Sequence, residues 1–222
     1  MAGLVEYDTL FRYLHVLSGI VWIGLLYFFN LVNLPLFDFR LKQPSEVNMA
    51  EKANAHVTLK ALFWFRWGAV FTLLFGLVLA WNRMEGTADG TLAQTFEGAD
   101  GQLLLGGVLL ALVMFFNVWF IIWPSQKTIL GNNLRIGKGV ADDEKTKLEA
   151  QNKPLVVRAK FASRMNTWLS IPMLFGMVFG AHATSDADGS GTIELADYYV
   201  PMAILAVVIV IMVILSNRKP KL

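Results

Sequence analysis

The sequence predicts an all-α integral membrane protein with five transmembrane helices, on the basis of its composition, its apolar runs and its charge distribution. Of the 222 residues, 55% are hydrophobic and only 16% are charged, whereas soluble domains average about 25% charged residues. The apolar residues form runs of roughly 20, the length of helix that crosses the hydrocarbon core of a bilayer. The predicted spans lie at about 9–34, 61–81, 103–123, 165–183 and 199–216.

The distribution of lysine and arginine predicts the direction of these spans. Bases are concentrated between spans one and two, between spans three and four, and after span five, whereas the other two loops are mainly acidic. Because bases accumulate on the cytoplasmic side, we expect the N-terminus outside and the C-terminus in the cytoplasm of a bacterial inner membrane. The charges follow the loops and form no single basic patch, so the expected partner is the lipid bilayer and not nucleic acid.

The cytoplasmic joins are predicted to contain helices of their own. A helical pattern begins at Pro44 to Glu46 and is expected to continue as one long helix into the second span. The segment 124–164 is predicted to be a basic cytoplasmic loop, with turns at Gly131, Gly137 and Gly139. Within it, 141–152 is predicted to form a polar surface helix that ends before Pro154.

The outer loop between spans four and five contains an EF-hand-like calcium motif. The segment 186–197 reads DADGSGTIELAD, with glycine at the sixth position and an apolar residue at the eighth, as such a loop requires. The predicted Ca²⁺ ligands are Asp186, Asp188, Ser190, Thr192, Glu194 and Asp197. Aspartate in place of the usual final glutamate predicts weaker binding, and the alternative is a polar turn without an ion. A bound ion would staple the outer ends of the two flanking helices together.

Ionisable residues at membrane depth are candidates for function because they are costly to bury there. Histidines His15 and His182 lie on different helices toward the outer side, where two imidazoles could hold one haem from its two faces. Arg12, one turn before His15, could then pair with a haem propionate. The alternative is that both histidines are interfacial and reach water.

Arg66 lies inside the predicted second span, between Trp64 and Trp67. It either snorkels to the cytoplasmic interface or contacts an anion or a haem propionate. We expect the intramembrane asparagines to bridge helices, and Gly176 with Gly180 to form a face for close helix packing.

The chain has no cysteine. This excludes disulfides, thiolate metal sites, iron–sulfur clusters and covalently attached haem. Any haem would therefore be bound without a covalent link to the chain, and we expect haem b.

Several stretches are similar to the N-terminal membrane domain of bacterial cytochrome-c-linked urate oxidases, also called urate hydroxylases. They include RYLHVLSGIVWIG from Arg12, LFWFRWG from Leu62, NVWFIIWPSQK from Asn117 and LSIPMLFGMVF from Leu169. The resemblance implies a helical membrane oxidoreductase that passes electrons from urate to a cytochrome c. This chain lacks the further spans and the cytochrome domain of full-length members. The opening helix also resembles those of small haem-binding membrane families, which supports His15 as a haem ligand.

Three functions remain open from the sequence. The first is electron transfer through a b-type haem within a larger redox assembly, with His15 and His182 as ligands. The second is a cofactor-free accessory subunit that packs against other membrane subunits of a respiratory or photosynthetic complex. The third is urate oxidation with a separate cytochrome c as the partner chain.

Overall fold

The computed structural model describes residues 2–33, 47–87, 90–96 and 98–182, together with Ile204, Val207 and Ile211. Within these residues the helices are α1 (Ala2–Tyr27), α2 (Val47–Glu85), the short α3 (Leu92–Thr95), α4 (Gly98–Phe116), α5 (Trp123–Gly137) and α6 (Asp142–His182). Two π-helical segments, Phe28–Asn33 and Asn117–Ile122, continue α1 and join α4 to α5. No strand occurs in this part of the chain, which agrees with the predicted all-α class.

Three helical stretches are long and apolar enough to cross a membrane: Tyr7–Asn33, Val57–Glu85 and Asp100–Gly137. They overlap the first three predicted spans, and the third stretch continues well past the predicted end at 123. The predicted fourth span falls within α6, which is not among the three, because its asparagine, threonine, serine and proline residues lower its mean hydropathy. The predicted fifth span, 199–216, lies outside the described residues, apart from three exposed helical positions.

The second span is part of a 39-residue helix, as its sequence predicted. Helix α2 begins at Val47 and continues without interruption to Glu85. At about 1.5 Å per residue it is nearly 60 Å long, twice the thickness of the hydrocarbon core. Only its part from Val57 to Glu85 is apolar enough to cross a membrane, so the helix continues past this stretch at its N-terminal end.

The segment 124–164, predicted to be a basic cytoplasmic loop, consists of helix on both sides of one turn, and its cytoplasmic location stays a prediction. The predicted turn at Gly137 and Gly139 is present, whereas the predicted turn at Gly131 was wrong, because this glycine lies inside α5. Helix α5 continues the third span to Gly137, a short turn follows with Gly139 at φ 85°, and α6 begins at Asp142. The predicted helix stop before Pro154 was also wrong, because α6 contains this proline and ends at His182. The segment is a helical hairpin formed by α5 and α6.

Packing between α5 and α6 explains why the helix continues through Pro154. The Asn132 Nδ2 donates to Asn152 Oδ1 at 2.9 Å, and Asn152 Nδ2 donates to Asn133 Oδ1 at 3.0 Å. Ile129 and Leu148 are buried in the same interface. A proline removes one backbone hydrogen bond from a helix, and these contacts offset that loss.

The bundle core lies where α1 packs against α2 and where α4 packs against α6. Its largest fully buried side chains include Trp22, Leu26, Phe65 and Met114. The predicted close-packing face on α6 is confirmed: a Cβ built on Gly176 would lie 2.5 Å from the Leu103 carbonyl oxygen. A Cβ on Gly180 would lie 2.5 Å from the Leu104 backbone nitrogen. The backbones of α4 and α6 are therefore in direct contact.

Side-chain hydrogen bonds tie both π-helical segments to α6. Asn117 Nδ2 donates to Asn166 Oδ1 at 2.7 Å, and Asn166 Nδ2 donates to the Met114 carbonyl at 2.9 Å. Asn30 Nδ2 donates to Ser163 Oγ at 2.8 Å. Asn30, Asn117 and Asn166 therefore bridge helices, as the sequence predicted, whereas for Asn33 the bridging role stays a prediction.

Candidate functional site

His15 is held between α1 and α2 by a backbone hydrogen bond. Its Nδ1–H donates to the Thr72 carbonyl oxygen at 2.8 Å. A carbonyl only accepts hydrogen bonds, so this contact assigns the neutral tautomer with the proton on Nδ1 and the lone pair on Nε2. Metal-binding histidines are commonly oriented in this way, by a second contact at the nitrogen that does not bind the metal.

Glycine at position 76 makes room for this imidazole. A Cβ at Gly76 would lie 3.0 Å from His15 Cε1 and 3.2 Å from Nδ1. Because Gly76 lies one helical turn after Thr72, the same glycine leaves the Thr72 carbonyl accessible from α1. The ring is thus oriented from two sides, by a hydrogen bond and by packing.

The second nitrogen of His15 is available to a ligand. Nε2 forms no hydrogen bond with any residue that the structure describes. A neutral imidazole with an unshared Nε2 lone pair is the usual axial ligand of a b-type haem iron. The tautomer and the ring orientation of His15 therefore fit an axial haem ligand.

Arg12 has a partner on its own helix. Its guanidinium donates to Asp8 Oδ2 at 2.9 Å, one turn earlier, and both side chains are substantially exposed. The predicted propionate contact stays a prediction, and it would require Arg12 to leave or share this ion pair.

His182 is the last residue of α6, and its side chain lies outside the described part of the structure. Two residues earlier, Gly180 packs against Asp100 and Leu104 of α4. His15 instead contacts α2. The pairing of the two histidines is therefore not tested by any described contact and stays a prediction.

Arg66 occupies a different place, among tryptophans of the third span. Its Cζ lies 3.3 Å from the centroid of the Trp123 ring and 5.6 Å from that of Trp119. Thr72, which contacts His15, is six residues further along α2, about 9 Å along the axis and on another face. Arg66 and the contact between Thr72 and His15 therefore lie on different faces of α2, and the predicted contact of Arg66 with an anion or a haem propionate stays a prediction.

Two hydrogen-bond donors in the Arg66 site have no acceptor. Arg66 Nε and Trp119 Nε1 are both buried without a hydrogen-bond partner among the described residues. Arg66 also lacks a carboxylate within 4 Å in this part of the chain. The site combines a positive charge with unused donors.

The predicted calcium ligands, at 186–197, all lie outside the described residues. Among the described residues, no group of three or more histidine, aspartate or glutamate side chains could hold a metal ion. The calcium motif therefore stays a prediction.

Sequence reasoning identified Asn166 but missed the serine and threonine residues that line the same inner face of α6. Tyr27 Oη donates to Ser170 Oγ at 2.9 Å, and Ser170 Oγ donates to the Thr167 carbonyl at 2.8 Å. The signal was available, because Ser163, Asn166, Thr167 and Ser170 recur at the spacing of one helix face. Both π-helical segments contact this face, and such segments are frequent at functional sites.

Comparison of this chain with protein-family models, with curated proteins and with solved structures finds no match.

Proposed function

We propose that this protein is a multi-pass membrane subunit that transfers electrons through a b-type haem, with His15 as one axial ligand. The observation that carries the proposal is the hydrogen bond from His15 Nδ1–H to the Thr72 carbonyl, which leaves Nε2 of this partly buried histidine with a free lone pair. Bound haem would supply a one-electron carrier. The predicted second ligand is His182, and the assembly in which the subunit works would contain further redox chains.

Each residue of the His15 site has a distinct part in this proposal. The Nε2 lone pair would hold the iron, and the Thr72 carbonyl fixes the ring orientation and increases the basicity of the imidazole. Gly76 allows the ring to lie close to α2. Apolar side chains around the outer half of α1 and α2 would exclude water, which favours the less charged state of a redox centre.

The proposal includes five spans in the predicted orientation, with α6 as the fourth. The polar residues of α6 support this: Asn166 and Ser170 are fully buried and Thr167 nearly so. The exposed positions in the same half of the helix include Leu174, Val178 and Phe179. A helix whose polar groups are buried in the bundle and whose exposed side chains are apolar is compatible with a lipid environment, although its mean hydropathy is low.

The test is the absorption spectrum of the purified full-length chain produced with sufficient haem. We expect a Soret band that is lost in His15→Ala and retained in His56→Ala, a histidine in the predicted cytoplasmic part of α2. We expect Gly76→Ala to shift the reduction potential, because its Cβ would push against the imidazole. Gly24→Ala is the matched control, since no described atom lies within 4 Å of its added Cβ.

Two results would contradict the proposal. One is a correctly folded wild-type protein that stays colourless after exposure to haem, which would favour the cofactor-free accessory subunit. The other is a Soret band that is unchanged in His15→Ala. Reduction of added cytochrome c by urate would extend the proposal to the activity that the family resemblance implies.

A further inference from the structure

We infer that Arg66, Trp119 and Trp123 form a binding site for a phosphate group or a similar oxyanion in the half of the bundle predicted to face the cytoplasm. This site is separate from His15 and does not rest on the proposed haem function. The phosphate could belong to the headgroup of an anionic lipid or to a soluble ion.

The first step of the argument is the cost of an unpaired charge. Arg66 lies within the apolar stretch Val57–Glu85, and no carboxylate among the described residues lies within 4 Å of it. An arginine at membrane depth costs several kcal/mol, of order 3 on insertion scales. A charge kept at that cost requires compensation.

Stacking on the tryptophans compensates for only part of this cost. The guanidinium lies 3.3 Å from the Trp123 ring centroid, and a cation–π contact contributes about 0.5–2 kcal/mol. Stacking also provides no acceptor for the N–H groups, which point outward in the plane of the guanidinium, and among them Nε is buried without a hydrogen-bond partner. The contact with Trp123 therefore orients the donors and leaves them unsatisfied.

The second step is the pair of unused buried donors. Arg66 Nε and Trp119 Nε1 belong to one cluster, because the Arg66 Cζ is 5.6 Å from the Trp119 ring centroid. Both groups only donate hydrogen bonds. Buried donors without acceptors are rare in native proteins. A ligand that supplies several acceptor oxygens and a negative charge is complementary to both groups.

Phosphate meets these requirements better than water or a carbonyl group. It brings a full negative charge and enough oxygens to accept from the guanidinium and the indole together, and charge-assisted bonds of this kind are the strongest in proteins. Arg66 is five residues inside the predicted span, about 8 Å along the helix. A lipid headgroup and a soluble ion can both approach this depth from the adjacent interface.

The experiment is thermal unfolding of the full chain in maltoside micelles, which contain no phosphate. One arm adds inorganic phosphate at constant ionic strength, and a second adds phosphatidylglycerol to the micelles. Because a ligand that binds only the folded state raises stability, we expect a Tm increase of about 5 °C at saturating concentration. A response to phosphatidylglycerol alone assigns the lipid headgroup, and a response to inorganic phosphate assigns the soluble ion.

Variants identify the site. Arg66→Gln should abolish the increase, whereas Arg83→Gln, at the other end of α2 and beside Asp100, should retain it. Trp119→Phe keeps the ring and removes one donor, so we expect its affinity to fall about tenfold. The inference is overturned if neither ligand raises the wild-type Tm, or if Arg66→Gln responds like the wild type. An unchanged affinity in Trp119→Phe would equally contradict the two-donor site.

Discussion

The direct backbone contact between α4 and α6 predicts a graded response to alanine substitution at neighbouring glycines. A Cβ on Gly180 would lie 2.5, 2.6 and 2.8 Å from three backbone atoms of α4. At Gly176 the three nearest distances are 2.5, 3.0 and 3.1 Å. At Gly107 they are 3.0, 3.1 and 3.2 Å, whereas no described atom lies within 4 Å at Gly106. The predicted order of destabilisation is therefore Gly180, Gly176, Gly107 and then Gly106.

The magnitude follows from these distances. A relaxed contact of a carbon atom is about 3.5 Å, so alanine at Gly176 or Gly180 forces the helices apart by about 1 Å. Backbone atoms cannot rotate away, and overpacking of this kind costs about 1–3 kcal/mol. Alanine recovers up to about 1 kcal/mol of helix propensity. Gly106→Ala should therefore be neutral or slightly stabilising. The free energy of unfolding of Gly176→Ala and of Gly180→Ala should be about 1–3 kcal/mol lower than that of Gly106→Ala.

The assay is reversible unfolding of each variant in mixed micelles, followed by circular dichroism. Gly106→Ala and Gly107→Ala form the matched pair, because they are adjacent residues of one helix and differ mainly in what the added methyl group meets. Equal stabilities for Gly106→Ala and Gly180→Ala would refute the close approach of α4 and α6. A strongly destabilised Gly106→Ala would also contradict the reasoning, because helix propensity favours alanine there and no described atom lies within 4 Å of the added Cβ.

Three further predictions concern the polar contacts, the outer loop and the topology. A double-mutant cycle with Asn117→Ala and Asn166→Ala should give a coupling energy of about 0.6–1.7 kcal/mol, and a coupling of zero would contradict their hydrogen bond. Calcium should raise the Tm above the value measured with chelator, and Asp197→Glu should enlarge this increase because glutamate is the usual bidentate ligand. Equal Tm values with calcium and with chelator would contradict the predicted calcium site. Because the chain lacks cysteine, Lys138→Cys and Thr87→Cys each introduce a single thiol. An impermeant thiol reagent added to spheroplasts should modify only the Thr87→Cys variant. Labelling of the Lys138→Cys variant would show that the orientation is the opposite of the predicted one.

The features that the sequence predicted correctly arise from local patterns. The first three spans follow from runs of apolar residues, and the long α2 follows from a helical pattern without a break. The contact of Gly176 and Gly180 with α4 follows from their spacing of four residues, which puts both on one face of a helix. The bridging asparagines follow from the cost of leaving an amide unpaired in an apolar bundle.

Other features depended on residues that are distant in the sequence. Helix α6 continues through Pro154 because Asn152 bonds to α5, twenty residues earlier. The partner of His15 is the backbone carbonyl of Thr72, 57 residues away, and a backbone group has no signature of its own in the sequence. The stacking of Arg66 on Trp123 requires α2 and the third span to be side by side.

The sequence by itself therefore determined which segments are helical and apolar and which residues are costly to bury, since both properties belong to short stretches of chain. Only the tertiary structure decided which neighbour compensates each costly residue: a carbonyl for His15, indole rings for Arg66 and an amide for Asn166. The physical reason is that compensation in an apolar environment requires contact within about 3–4 Å, and such contacts are created when helices distant in the sequence pack together.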